Sequence, residues 1–103
     1  MDKTPTVVIY DVPNTRVRTK LADACLDAGL ERIQLSAFRG LLTASARREL
    51  ACRLRTLLEE TTAGRLFVLP LCAADWEQAV AVEHGNADPL APHKPSNDTI
   101  LRF

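Results

Sequence analysis

The order of hydrophobic patterns along this chain of 103 residues allows few folds. Residues 6–12 form an almost continuous apolar run, as expected for a central strand covered on at least one face. A helical stripe follows to about residue 28, then an extended stretch over 31–42, then a second helical stripe over about 44–61. Residues 65–72 are again strongly apolar and predict another strand. The predicted order is therefore strand, helix, extended pair, helix, strand.

Residues that cap helices or break strands mark the boundaries of these elements. Asn14 or Thr15 is expected to cap the first helix, and Gly29 to end it. The second helix is expected to begin at Thr43 or Ser45.

Two features of the strands stay open at this point. Residues 31–42 could be one bent strand or a tight hairpin, in which Gly40 permits a bend or bulge. Pro70 predicts an edge strand or a bulge, because proline cannot donate a ladder hydrogen bond.

This order matches the split βαββαβ arrangement. The chain is therefore predicted to be an α+β protein, a ferredoxin-like βαββαβ sandwich with an additional C-terminal strand at 78–83, after a turn at 73–76. Two helices would cover one face of the sheet, and the other face would remain an apolar patch. A symmetric homodimer is the expected way to cover it. The last strand could stay on its own chain or join the neighbour's sheet edge.

The chain is predicted to have one folded domain, residues 1–84, and a proline-rich C-terminal tail, residues 85–103. The tail ends in an apolar cluster after three prolines, Pro89, Pro92 and Pro95. Such tails are usually disordered in isolation. The terminal cluster, Ile100, Leu101 and Phe103, makes a docking peptide the second expectation.

Composition restricts the function without defining it. The net charge is zero, but residues 1–55 hold ten Lys and Arg against six Asp and Glu, whereas residues 56–103 hold three against seven. The basic first half permits phosphate binding.

No apolar run is long enough for a membrane span, and a cytoplasmic protein is expected. The three cysteines are widely spaced, which predicts reduced, mostly buried thiols, with Cys25 and Cys72 in the core.

The strongest candidate for chemistry is Asp11, which ends the first apolar run. Three basic residues follow within the next helix, namely Arg16, Arg18 and Lys20. An acid beside bases at a helix start can hold a divalent cation and a phosphate together. The alternative is a turn residue that bonds to backbone amides. Neither His84 nor His93 has an acid–base partner at a readable spacing.

Three segments resemble the small CRISPR-associated endoribonuclease family. They are Tyr10-Asp11-Val12, Arg18-Thr19-Lys20-Leu21, and the stretch from Gly29 to Phe38 followed by Gly40. The resemblance implies a ferredoxin-like homodimer whose sheets stack face to face. It also implies that Asp11 of both subunits flanks Mg²⁺, and that Arg18, Lys20, Arg32 and Phe38 contact nucleic acid.

The resemblance leaves two roles open. One is a magnesium-dependent endonuclease, a phosphodiesterase on single-stranded RNA or double-stranded DNA. The other is a structural adaptor that holds DNA between CRISPR integrase subunits during spacer acquisition, in antiviral defence, without catalysis. The loop Pro13-Asn14-Thr15 stands where many members carry further acids. The adaptor role is preferred, with nuclease activity open. Arg32 and Arg39 are further candidates for phosphate contact, but the role of a surface strand residue is favoured for each. Phe38 could be a core or interface side chain instead of stacking on a base.

Overall fold

A computed structural model describes residues 2–85 and the short strand 100–102. The chain forms six strands and three helices in these ranges. The strands are β1 (Lys3–Asp11), β2 (Glu31–Gln34), β3 (Ala37–Thr43), β4 (Arg65–Pro70), β5 (Val80–Val82) and β6 (Ile100–Arg102). The helices are α1 (Thr15–Asp27), α2 (Ala44–Leu58) and α3 (Ala73–Gln78). No helix in the described part of the chain is both long and apolar enough to cross a membrane.

Four strands form an antiparallel sheet in the order β2-β3-β1-β4, so β1 is central and β4 is at one edge. This is the predicted ferredoxin-like βαββαβ arrangement. Helices α1 and α2 cover one face, which we call the inner face. Every second residue of β1 points into this layer, where Val8 packs with Leu21 of α1 and Leu54 of α2, all three fully buried. The alternate residues of β1 and the apolar stripes of the two helices therefore pack together in one core.

Both main helices begin at predicted caps. The Asn14 side chain accepts a hydrogen bond from the Val17 N–H at 2.9 Å, and Thr43 accepts one from the Ala46 N–H at 3.0 Å. Helix α1 ends as predicted, because Gly29 adopts φ 91°, a conformation that glycine adopts without strain. Helix α2 ends at Leu58, three residues before the predicted end. The N–H of Thr61 bonds to the carbonyl of Leu58 at 3.1 Å, a tighter turn than an α-helix makes.

The extended stretch 31–42 is a hairpin, not one bent strand. Strands β2 and β3 are joined at Leu35 and Ser36, and the register shifts between Arg32 and Gln34. Gly40 therefore does not form the bulge. It lies opposite Thr6 of β1, where an added Cβ would come within 2.6 Å of Leu30 Cδ2. Close packing against Leu30 therefore favours glycine there, which strand periodicity does not reveal.

Replacing Gly40 with alanine is expected to destabilise the fold. The new methyl group would overlap Leu30, whose backbone Cα lies only 3.3 Å from the same position. Because backbone and side chain both crowd this site, we expect a loss of about 1–3 kcal/mol in the free energy of unfolding. Urea denaturation of the variant and of the wild-type protein, at the same protein concentration, measures it. A Gly40→Ala protein as stable as wild type would contradict this account.

Beyond β4, the structure corrects one prediction. Residues 73–76 are not a simple turn but the start of α3, which Cys72 caps by accepting a hydrogen bond from the Asp75 N–H at 3.5 Å. The additional strand is present as β5, and β6 of the same chain pairs with it, Val82 opposite Ile100. Pro70 is the last residue of the edge strand β4, a position that suits a residue without a backbone N–H to donate to the strand ladder. Most of the predicted docking tail, residues 86–99, lies outside the described residues.

The prediction of mostly buried thiols is wrong, and of the two cysteines placed in the core, Cys25 lies there and Cys72 does not. Cys25 is fully buried, and this burial raises the pKa of its thiol to about 12. Cys52 and Cys72 are exposed. Cys52 lies two residues after the buried Leu50 and therefore on the opposite side of α2, while Cys72 has left the strand and caps α3.

Candidate functional site at the end of the central strand

The sheet face turned away from α1 and α2, which we call the outer face, is apolar and largely open. On β1 it carries Val7, Ile9 and Asp11, and the cross-strand partners of Val7 and Ile9 on β4 are Leu69 and Phe67. The exposed fractions are 43% for Ile9, 51% for Phe67 and 39% for Leu69. Leu41 of β3 adds another exposed side chain at 54%. A patch of this kind usually marks an interaction site.

Helix α3 covers one end of the outer face. The Trp76 ring lies 5.8 Å from the guanidinium of Arg39, which sits opposite Val7 on β3. Arg39 also pairs with Glu31 on β2, with Nη2 to Oε1 at 2.9 Å. The other end, where β1 finishes at Asp11, is left open.

Asp11 is exposed at this open end. Its cross-strand partner is Arg65, the first residue of β4. Among the residues that the structure describes, none forms a hydrogen bond or ion pair with the Asp11 side chain. The approach of β4 depends on Gly64, which has φ 136° and whose added Cβ would lie 3.0 Å from Val12 Cγ2. A close glycine contact therefore lets β4 begin beside the end of β1, with Asp11 and Arg65 at paired positions of the two strands.

A single chain offers few ligands for a cation at the Asp11 end of the outer face. Within residues 2–85 and 100–102 there is no group of three or more His, Cys, Asp or Glu side chains that could hold a metal ion. Mg²⁺ typically takes one or two protein carboxylates and keeps several waters or substrate oxygens. Asp11, exposed and free of protein partners in the described residues, fits such a ligand. In the predicted homodimer, a second copy would supply a second carboxylate.

The basic residues of α1 have different surroundings. Arg18 braces the loop after Asp11: its Nη1 donates to the carbonyls of Val12 and Pro13, each at 3.0 Å, and its Nη2 to Thr15 Oγ1 at 3.0 Å. Lys20 forms an ion pair with Glu60. Arg16 is exposed. Arg18 and Lys20 therefore both hold protein partners on the surface beyond the end of β1.

Phe38 and Arg32 belong to a stack that passes into the core. Phe38 is fully buried, its ring 6.2 Å from that of Tyr10, and the Arg32 guanidinium lies 5.0 Å above it. Arg32 Nη1 also donates to the Leu35 carbonyl at 2.9 Å. The expectation that Phe38 contacts nucleic acid is therefore not supported by its position: β3 turns this side chain toward the helices. The core alternative is the one observed.

Tyr10 cannot serve as an ionised group at neutral pH. Desolvation by burial, with a smaller effect from Cys25, raises the pKa of its hydroxyl to about 12. The same applies to the Cys25 thiol. The groups available for chemistry are therefore the exposed carboxylate of Asp11 and the surrounding bases.

Sequence reasoning missed two charged neighbours of the predicted site, Arg65 and Glu60. Arg65 was detectable, because in a βαββαβ sheet the last strand runs antiparallel to the first, so its start meets the end of β1. Glu60 gave no such signal. It lies in the turn after α2, and its approach to Lys20 depends on how the two helices cross.

The fold and site define a class: a ferredoxin-like domain with one open apolar sheet face and an exposed carboxylate at the end of its central strand. The chain belongs to the CRISPR-associated protein Cas2 family, whose model matches residues 5–79. Its role is therefore CRISPR-associated, as the resemblance implied.

Named relatives agree with this assignment. The CRISPR-associated endoribonuclease Cas2 2 of Chloroflexus aurantiacus is 49% identical over 63 residues, 60% of this chain and 74% of that protein. The CRISPR-associated endoribonuclease Cas2 of Desulforudis audaxviator is 37% identical over 78 residues, 76% of this chain and 73% of that one. A crystal structure of a hypothetical protein from Thermus thermophilus superposes with a TM-score of 0.62 at 34% identity, covering 69% of this chain and 84% of that one.

Proposed function

We propose that this protein is a homodimeric nucleic-acid-binding adaptor that works with CRISPR integrase subunits in spacer acquisition. The observation that carries the proposal is the open outer face, in which Ile9, Phe67, Leu69 and Leu41 are all more than one-third exposed. A second copy stacked on this face would remove these side chains from water. It would also bring two Asp11 carboxylates to one assembly.

Positive charge beyond the end of β1 supports the nucleic-acid part of the proposal. Arg16 and Arg18 flank the start of α1, and Arg65 lies beside Asp11. Helix α2 adds four arginines against one glutamate. In a dimer these groups are doubled, which gives a longer phosphate-binding surface than one chain of zero net charge provides.

A second candidate function is magnesium-dependent endonuclease activity, favoured by the exposed Asp11 carboxylate and by the names of the relatives. The paired Asp11 side chains of a dimer would hold Mg²⁺, which when bound would polarise a phosphodiester and supply an activated water. Arg18 and Arg65 would orient phosphate oxygens beside it. The loop Pro13-Asn14-Thr15 adds no carboxylate, so the whole charge of the site rests on Asp11.

The variant Asp11→Asn separates the two functions. It keeps the shape of the side chain and removes the charge that a divalent cation needs. If the protein is a nuclease, we expect magnesium-dependent cleavage of single-stranded RNA or duplex DNA to fall at least about 100-fold, because Asp11 is the carboxylate proposed to hold the cation. Spacer acquisition in cells should persist, since an adaptor needs shape and positive charge but no metal. Asp23→Asn, an exposed acid on α1, is the control with the same charge change.

Different results exclude different parts of the proposal. Spacer acquisition that fails in Asp11→Asn but not in Asp23→Asn would contradict the adaptor role without catalysis. Cleavage that survives in Asp11→Asn would remove Asp11 from the chemistry. Wild-type protein without any cleavage, in magnesium and with both substrates, would leave the adaptor as its function.

A further inference from the structure

Glu60 links the predicted phosphate-binding residues of α1 to the end of α2. Its Oε1 lies 2.8 Å from Lys20 Nζ, and the two side chains are 44% and 37% exposed. Arg16 lies one turn before Lys20 on the same side of α1. The hydrogen bond from Lys20, together with the charges of Lys20 and Arg16, lowers the pKa of the Glu60 carboxyl. Glu60 is therefore a charged carboxylate held beside two bases.

We propose that Glu60 is an intramolecular competitor for nucleic-acid phosphate: it occupies Lys20 in the free protein and is displaced when a phosphate binds there. This inference rests on the nucleic-acid binding proposed above and names a residue that sets its strength. Carboxylate and phosphate oxygens accept from an ammonium group in the same way. A phosphate that reaches Lys20 must therefore replace Glu60 or approach against its negative charge.

Arg18, which braces the loop after Asp11, lacks such a competitor. Arg18 donates to two neutral carbonyls and a hydroxyl, so its positive charge is not cancelled by these partners. The ion pairs of Arg39 with Glu31 and of Arg53 with Asp27 lie elsewhere, on the hairpin and between the helix bodies. Among the bases that the family resemblance predicts to contact nucleic acid, Lys20 is therefore the one that forms an ion pair with an acid in the described structure. An exposed pair of this kind contributes little to folding, so removing its acid should affect binding more than stability.

The test compares Glu60→Gln with Glu59→Gln. The two variants make the same charge change at adjacent exposed positions, but only Glu60 contacts Lys20. Fluorescence anisotropy with a labelled DNA duplex and a labelled single-stranded RNA gives the dissociation constants at low salt. We expect Glu60→Gln to bind about two- to fivefold more tightly than Glu59→Gln, the range that corresponds to the loss of one exposed ion pair. Thermal melting of each variant monitors folding.

The decisive control repeats the binding measurement in protein that also carries Lys20→Gln. In that background, adding Glu60→Gln should give a smaller gain in affinity than it gives in the presence of Lys20, because the competed ammonium is absent and only Arg16 remains beside the carboxylate. In a salt titration, the logarithm of the binding constant of Glu60→Gln should fall more steeply with the logarithm of salt concentration than that of Glu59→Gln. The difference in slope should correspond to about one phosphate contact.

Two results overturn the inference while leaving nucleic-acid binding intact: equal affinities of Glu60→Gln and Glu59→Gln, or a gain from Glu60→Gln that is just as large without Lys20. A wild-type protein and variants that all fail to bind either probe overturn both the inference and the nucleic-acid part of the proposed function.

Discussion

Replacing Phe67 with glutamate should dissociate the proposed homodimer into monomers. Phe67 is 51% exposed and lies beside Ile9 on the outer face, so in a single chain the new charge meets water and costs little. In the proposed dimer the same carboxylate would be buried against apolar side chains, twice, because the interface is symmetric. Burying an unpaired charge costs several kcal/mol. We expect the dissociation constant of the dimer to rise at least about 100-fold, as measured by sedimentation equilibrium.

Leu26→Glu is the matched control. Leu26 is also a large exposed apolar residue, at 48%, but it lies on α1, on the opposite side of the sheet. This variant should dimerise like wild type. A wild-type protein that stays monomeric at high micromolar concentration would contradict the dimer, and so would a Phe67→Glu protein that dimerises normally.

Replacing Phe38 with alanine should remove much of the stability of the fold. Phe38 is fully buried between Tyr10 and the helices, and no part of its ring is open to solvent. Phenylalanine-to-alanine changes in cores cost about 3–5 kcal/mol, against a total of about 5–15 kcal/mol for an ordinary domain. Chemical denaturation monitored by circular dichroism measures the loss, at a fixed protein concentration because the protein is proposed to dimerise.

Phe38→Leu distinguishes a core role from base stacking. Leucine keeps an apolar side chain in the core but offers no aromatic face. If Phe38 only packs, this variant should bind nucleic acid like wild type while losing part of the stability. A stacking platform would instead lose about 1–3 kcal/mol of binding per base, roughly a fivefold to hundredfold weaker complex. Such a loss in a folded Phe38→Leu protein would contradict the position found for this ring.

The main elements of the fold could be predicted from local patterns. The apolar run ending at Asp11, the stripes of α1 and α2, and the signals at Asn14, Thr43 and Gly29 all depend on neighbouring residues, and the structure confirms them. Features that depend on distant residues could not be predicted in this way. Helix α3 begins where a turn was expected, and Gly40 is needed because Leu30 packs against it.

The candidate site was predictable in part. Asp11 stands where its position after an apolar run placed it, at an exposed strand end. The sequence did not show that Arg18 holds the loop carbonyls or that Phe38 points inward. A one-residue difference in strand register reverses the face on which a side chain lies, so the roles of residues around a strand end depend on pairing that the sequence leaves open.

The sequence by itself determined the order of helices and extended stretches from β1 to β4, the ends of α1, and the presence of an acid after the central strand. These follow from hydrophobic periodicity and capping, which act over a few residues. Only the tertiary structure decided that Glu60 holds Lys20 and that Phe38 faces the core beside Tyr10. Each of these depends on contacts between segments far apart in the chain, and the crossing of helices and the pairing of strands bring those segments together.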